Sequence, residues 1–262
     1  MAGGKGAESN SHRVIRVAAM ADLHCSRGSA GAFSPLFAEA ADQADILVIC
    51  GDLTDYGLPD EAHILAKELA GAKMPTVVVL GNHDYESGHE LEVVSILSDA
   101  GITVLDGEAT EIHEIGFAGA KGFGGGFGRR MLSPWGEPAI KAFVNASVEE
   151  ELKLERALGR LTTPQRIVLL HYAPVRTTVE GESPETYPFL GSSRLEEPLG
   201  RYPVSYVLHG HAHLGRPEGV TSHGIPVYNV SLPLLRKAEP HGRPFRLLEL
   251  AVEVAAPEPA NA

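Results

Sequence analysis

Aspartate, asparagine and histidine recur in this chain at the points where apolar runs stop. The clusters are Asp22-Leu23-His24, Gly51-Asp52, Gly81-Asn82-His83-Asp84 and, far downstream, Gly210-His211-Ala212-His213, with His171 alone between them. Carboxylate oxygens, an amide oxygen and imidazole nitrogens form a donor set suited to manganese, iron or zinc. In Asp22-Leu23-His24 the polar side chains are two apart, so an extended backbone points both the same way. Taken singly, each cluster has an ordinary explanation: Asp22 can cap a helix, and Gly51-Asp52 reads as a turn. The paired imidazoles of His211 and His213 have little structural purpose after an apolar strand. As a set, the clusters combine complementary ligand types at strand ends, and turn chemistry does not account for that.

Residues so far apart converge only if the fold brings those strand ends together. Val14 to Ala21 is an apolar run interrupted only by Arg16, the signature of a buried strand, and it ends at Asp22. A helix is predicted over Phe33 to Ala44, with Ser34-Pro35 at its start. Ile46 to Cys50 is a second buried strand, Asp60 is placed to cap a helix through Ile64, Leu65 and Leu69, and Thr76 to Leu80 is the third strand. This alternation predicts a parallel α/β sheet, and such sheets form their sites beyond the carboxyl ends of the strands. Further on, the pattern predicts a helix over Leu91 to Ala100 and strands over Ile102 to Leu105 and Ile112 to Ala118. A helix with a Glu-rich first turn follows over Val148 to Leu161, where acidic residues suit the dipole. The remaining strands are Ile167 to Leu170, Val204 to Leu208, Val227 to Val230 and Phe245 to Val254. No internal repeat or linker divides the chain, so residues 1–262 read as one domain, with a core of about 13–254 and loose tails.

The formal net charge of -12 argues against an extended nucleic-acid surface, which needs an excess of Lys and Arg. A nucleotide substrate stays open, because bound cations reverse the local sign. Cys25 and Cys50 are too few for a disulfide scaffold, which points to a reducing, cytoplasmic setting. Neither a secretory signal nor an apolar run of membrane-spanning length is evident.

The five segments, in this order, resemble the signature of the calcineurin-like metallophosphoesterases, over about Val14 to Val254. The resemblance implies a four-layer α/β/β/α sandwich: two mixed sheets face to face, helices outside, and the site at one edge. It also implies two metal ions (Mn, Fe or Zn). Asp22, His24, Asp52 and His213 would hold the first. Asp52, Asn82, His171 and His211 would hold the second, with Asp52 bridging. His83 would be the general acid and Asp84 its orienting partner. The chemistry needs these types. A carboxylate such as Asp52 binds two cations at once, and two metals ~3.5–4 Å apart hold the attacking and leaving oxygens and generate a bridging hydroxide. Asn82 and neutral imidazoles limit the negative charge that would repel a phosphate. An imidazole can deliver a proton near neutral pH, as His83 must do to the leaving oxygen.

Within the family, Leu80 and Asp84 depart from the Arg and Glu that serine/threonine phosphatases carry around Gly-Asn-His, and Asp55 stands where purple acid phosphatases place a metal-binding tyrosine. The motifs are more like those of bacterial phosphodiesterases, including cyclic-nucleotide phosphodiesterases, and of DNA-repair nucleases. The expected substrate is a small phosphodiester or phosphomonoester. A nuclease is the alternative within the class, and a protein-binding scaffold the alternative outside it, disfavoured because every expected ligand is present. His209 reads as buried and hydrogen-bonded, Asp55 as a support for the loop after Asp52, and Tyr85 as packing beside the site. His12, His63, His89, His113, His223 and His241 lack motif context. Gly122 to Gly128, with Phe123, Phe127, Arg129 and Arg130, reads first as a mobile connection, with an alternative role over the metals. The long segment from Tyr172 to Leu195 is a candidate for shaping substrate choice.

Overall fold

Runs that are apolar at every position become strands buried on both faces. The computed structural model describes residues 12–253, so the tails expected at both ends lie outside the described residues. The first half contributes β1 (His12–Met20), α1 (Ser34–Gln43), β2 (Ile46–Cys50), α2 (Pro59–Leu69), β3 (Thr76–Val79), α3 (Glu90–Asp99) and β4 (Thr103–Val104). The second adds β5 (Glu108–Ile112), β6 (Ile115–Gly119), α4 (Pro138–Leu158), β7 (Gln165–Leu169), α5 (Tyr187–Leu190), β8 (Tyr206–His209), β9 (Glu218–Val220), β10 (Pro226–Asn229), α6 (Leu232–Ala238) and β11 (Arg246–Glu253).

Two mixed sheets result. One has the order β11-β1-β2-β3-β4 and the other β5-β6-β7-β8-β10-β9. Both have a parallel middle: β1, β2, β3 and β4 run together, as do β6, β7, β8 and β10, while β11, β5 and β9 are antiparallel edges. Side chains alternate between faces along each strand. Ala18, Met20, Leu47 and Ile49 therefore pack under α1 to α3, while Val17, Ala19, Val48 and Val79 meet Phe117, Leu169 and Leu208 of the other sheet. Val168 and Val207 turn outward to Leu154 and Leu158 of α4. Layer order is thus helix, sheet, sheet, helix, and no described helix is long and apolar enough to cross a membrane.

Three local expectations are corrected. The fourth helix begins at Pro138, ten residues before the predicted start, because its first turns are exposed and show no apolar stripe. Glu149 to Glu151 consequently lie mid-helix rather than at the positive end of a dipole. The strand expected over Ile112 to Ala118 is two strands, β5 and β6, turned at His113 and Glu114 with φ of 51° and 63°. Asp60 does not cap α2. Its exposed carboxylate faces Arg27 at 3.0 Å, and the buried Glu61 accepts the N–H groups of Tyr56 and Leu58 instead.

α1 has no capping side chain of its own. Glu68 of α2 supplies one, accepting the N–H groups of Gly31, Phe33 and Ser34 and the Ser34 hydroxyl. Burial works against this carboxylate, but those donors outweigh it and hold its pKa below the usual glutamate range. The stabilisation is therefore present above the unfolded value of 4.5 and lost as pH falls through the lower folded one. Glu68→Ala is expected to cost about 2 kcal/mol in urea unfolding at neutral pH. An unchanged unfolding midpoint would show that water replaces Glu68 without loss.

Candidate metal centre

All the motif residues sit one to five positions beyond parallel strands, at one end of the two sheets. Four of them, Asp22 (φ 59°), His24 (φ 47°), Asp52 (φ 47°) and His211 (φ 70°), adopt left-handed backbone that side-chain-bearing residues rarely hold. Each such residue stores of order 1–3 kcal/mol, and strain of this kind concentrates where function demands a geometry. The surroundings hold it in place. Asp22 and His24 donate backbone N–H bonds to the carbonyls of Gly51 and Asp52, both at 3.0 Å. The His83 N–H reaches Asp52 Oδ1 at 2.9 Å, and the His211 N–H reaches Asp22 Oδ1 at 3.0 Å. Two glycines make room for this interlock: a Cβ on Gly81 would lie 2.1 Å from Asp52 Oδ1, and one on Gly51 would lie 2.5 Å from the His171 ring.

Among the described residues three groups bring donor atoms within reach of one another, and one of them, His24 with Asp55 and His83, was not among the expected sets. Asp22, His24 and His213 present ligand atoms to one another, and so do Asp52, His171 and His211. His213 Nε2 is 3.2 Å from Asp22 Oδ1. His171 Nε2 lies 2.9 Å from Asn82 Oδ1 and 3.3 Å from Asp52 Oδ1, which brings Asn82 into the second group. His24 Nε2 is 3.8 Å from Asp52 Oδ2, so the two oxygens of Asp52 face different groups. His171 Nδ1 is 3.0 Å from the Cys50 carbonyl, an N–H donor position that leaves Nε2 free to bind inward.

The charges also fit a cation site. Asp22 and Asp52 are 2% and 1% exposed, with no Lys or Arg paired to either among the described residues. Burial alone would raise both carboxyls, yet both are held low, Asp22 by the His213 hydrogen bond and nearby His171, and Asp52 chiefly by His171. The same pairing overcomes burial to lift His171 to about 9, while burial and His171 push His211 down to about 3. Two buried anions thus draw positive charge into a pocket of imidazoles. His24 Nε2 is buried and has no hydrogen-bond partner, as expected of an atom reserved for a metal.

His83 and Asp84 divide differently from expectation. The His83 ring stands edge-on to His24, with centroids 4.6 Å apart, and its Nδ1 lies 2.7 Å from the Asp55 carbonyl. The Asp84 carboxylate does not orient that ring. It is fully buried and accepts the N–H groups of Leu53, Thr54 and Gly81 and the Thr54 hydroxyl. The physical reason is the tight turn at His83–Tyr85, which sends adjacent side chains in different directions. Burial and the charge of Asp52 raise the Asp84 pKa to about 6, and its four donors favour the anion. Asp84 therefore ties the loop after β2 to the loop after β3.

Asp55 is the orienting residue that the sequence undervalued. Its carbonyl faces His83, and its carboxylate lies 3.6 Å from His24 Nδ1. Only its position three after Asp52 hinted at this. His209 is buried and hydrogen-bonded as anticipated, between the Gly210 carbonyl and the Thr178 hydroxyl, and burial lowers its pKa to about 4.

The Gly-rich stretch is anchored rather than loose. Buried Glu150 accepts the Gly122 N–H at 2.8 Å, the Gly125 N–H reaches the Pro188 carbonyl at 2.7 Å, and the Gly126 N–H reaches the Gly191 carbonyl at 2.9 Å. Phe123 and Gly124 border the space beside Asn82 and His211, whereas Arg129 and Arg130 are exposed and do not line it.

Comparison with known proteins agrees with this geometry. A family model described as calcineurin-like phosphoesterase matches residues 15–215. A protein described as a probable glycerophosphodiester phosphodiesterase, GpdQ, from Arcobacter nitrofigilis is 24% identical over 204 residues, covering 74% of this chain and 68% of the relative. In fold, the chain is similar to the phosphopantetheinyl hydrolase PptH of Mycobacterium tuberculosis, with TM-score 0.64, 15% identity, and 94% and 98% of the two chains covered. It is also similar to GAP50, described as an anchor in the inner membrane complex of Plasmodium, with TM-score 0.53, 13% identity, and 84% and 72% covered. One neighbour is named for hydrolysis and the other for anchoring, so the fold alone carries no activity.

Proposed function

The chain belongs to the calcineurin-like phosphoesterase family, and from that premise we propose that it hydrolyses a small phosphodiester at a two-metal centre with His83 as general acid. That it is a metal-dependent phosphoester hydrolase follows from the family and from the relative named as a phosphodiesterase. The observation that carries the finer reading is the single carboxylate of Asp52 facing both donor groups, with Oδ1 toward His171 and Oδ2 toward His24. Asp22, His24, Asp52 and His213 would hold one ion, and Asp52, Asn82, His171 and His211 the other, with Mn, Fe or Zn suited to such donors. When bound, two such ions neutralise phosphoryl oxygens and lower the pKa of a water so that it attacks at neutral pH.

The remaining work falls to the protein. The Asp55 carbonyl accepts the Nδ1–H of His83, which fixes the tautomer and leaves Nε2 as the proton-carrying face toward a leaving oxygen. Asp84 holds the Gly81 turn against Leu53 and Thr54, keeping His83 and Asn82 at fixed distance from Asp52. The diester preference rests on the relative's description, and a nucleotide ester remains among the candidate substrates.

Bis-p-nitrophenyl phosphate tests the reading. Protein stripped with chelator is expected to be inactive and to recover turnover on addition of Mn2+, with two ions retained per chain. No turnover with Mn2+, Fe2+, Zn2+ or Mg2+ would overturn it in favour of a binding scaffold.

A further inference from the structure

Beside the metal centre lies a cavity of about 290 Å3 whose walls the motif residues do not explain. Asn82 and His211 border it on the metal side, and Phe123, Phe143, Tyr172 and Phe189 form the rest of the wall. Among the described residues, no Asp, Glu, Lys or Arg lines it. We propose that this cavity is a subsite for an uncharged apolar group, about the size of one aromatic ring, carried on the substrate ester. The inference rests on the phosphodiesterase reading and adds to it the chemical class of the ester.

Size and shape support a single ring. An apolar cavity of roughly 150 Å3 is enough to hold benzene, so the space takes one ring and leaves room for the phosphoryl group. Neighbouring rings of the wall are inclined to one another, Phe123 and Phe143 by 55°, Phe123 and Tyr172 by 44°, and Phe143 and Phe189 by 80°. They offer edges and faces to a compact group, the arrangement aromatic pairs prefer.

Charge excludes the other occupant that an aromatic wall suits, a quaternary ammonium. Lys121 Nζ already lies 4.9 Å from the ring centre of Phe123 and 5.2 Å from that of Tyr172. It donates to the Gly122 carbonyl and has no carboxylate within ion-pair distance among the described residues. A cationic group would meet that charge and the charge of the neighbouring metal site. A neutral apolar group meets neither penalty.

The walls are also preformed. Backbone bonds from Ala173 to Leu190 and from Ser192 to Ala173, both at 3.0 Å, join the segment after β7 to the segment that carries Phe189. The Gly124–Gly126 stretch is pinned to the same segment, and a Cβ on Gly124 would lie 2.5 Å from the Pro188 carbonyl. Phe189 itself is 61% exposed, an apolar ring at the rim with solvent on one side. A ligand ring seated beside it would remove that surface from water.

Three p-nitrophenyl phosphodiesters test the subsite, with methyl, benzyl or choline as the second ester group. In each, water adds at phosphorus, the P–O bond to p-nitrophenolate breaks, and an alkyl phosphate monoester remains, so the chemistry is matched. The benzyl ester is expected to exceed the methyl ester by ~10- to 100-fold in kcat/KM, mostly through KM. Phe143→Ala and the rim variant Phe189→Ala should each pull that ratio toward one, and Phe189 is too exposed for its loss to threaten folding. Equal rates for benzyl and methyl esters, preference for the choline ester, or a benzyl preference surviving both replacements would each overturn the subsite while leaving the hydrolase reading intact. If no ester turns over, the hydrolase reading is what fails. Calorimetric titration of Mn2+-loaded protein then decides the subsite: tighter binding of benzyl than methyl phosphate, lost in Phe189→Ala, supports it, and equal binding overturns it.

Discussion

Asp52→Asn is expected to lower phosphodiester turnover by roughly 10³-fold, and added Mn2+ should not rescue it. The replacement is nearly isosteric, and its amide oxygen can still accept the His83 N–H that Asp52 Oδ1 accepts at 2.9 Å. The new N–H2 can donate toward His24 Nε2, a buried nitrogen with no hydrogen-bond partner among the described residues. The loops therefore keep their anchors, and the folded state tolerates the change. What disappears is the one negative charge that both donor groups share. His171 then loses the partner that lifts its pKa to about 9, and the second group becomes Asn82 and two imidazoles with no anion. Metal content should fall below two ions per chain, and the rise in melting temperature on adding Mn2+ should shrink, because that rise measures affinity for the folded state. A variant that binds two ions and retains turnover within tenfold of the native enzyme would refute a bridging role.

The legible part of this molecule is the part where a local pattern has one physical cause. β2, β3 and the second half of β1, from Val17 onward, are apolar runs stopped by Gly51-Asp52, Gly81-Asn82 and Asp22, the appearance of strands buried on both faces. That the polar residues after these strands share one edge followed from the parallel order, while their division into two ligand sets came only from the resemblance to the family. What stayed hidden depends on direction rather than spacing. Asp84 follows His83 in sequence, and the pair suggested one dyad, but the turn sends Asp84 inward to the backbone of Leu53 and Thr54. The turn at His113 and Glu114 carried no Gly or Pro to mark it. Phe143 and Phe189 come from the half-exposed helix α4 and the short helix α5. Nothing periodic ties them to His211, although one cavity brings the three together.

Replacing His83 separates the acid role from a merely structural one, because only the acid role depends on the leaving group. His83→Ala is expected to slow alkyl phosphodiesters by ~10²-fold or more and to change p-nitrophenyl esters by no more than about threefold. An alkoxide leaves poorly without a proton, whereas p-nitrophenolate carries its own charge away. The geometry allows this division. The His83 side chain is 35% exposed, so solvent can return the proton after each turnover. Its Nδ1 is committed to the Asp55 carbonyl at 2.7 Å, which leaves one nitrogen for transfer. Its ring edge stands against His24, itself 3.8 Å from Asp52, which places the proton donor beside the first donor group rather than behind it. A structural role would predict something else. Loss of the ring would loosen the turn that sets Asn82 and Asp52, and then good and poor leaving groups would suffer alike. Equal losses would assign proton delivery to another group and leave His83 as packing beside His24.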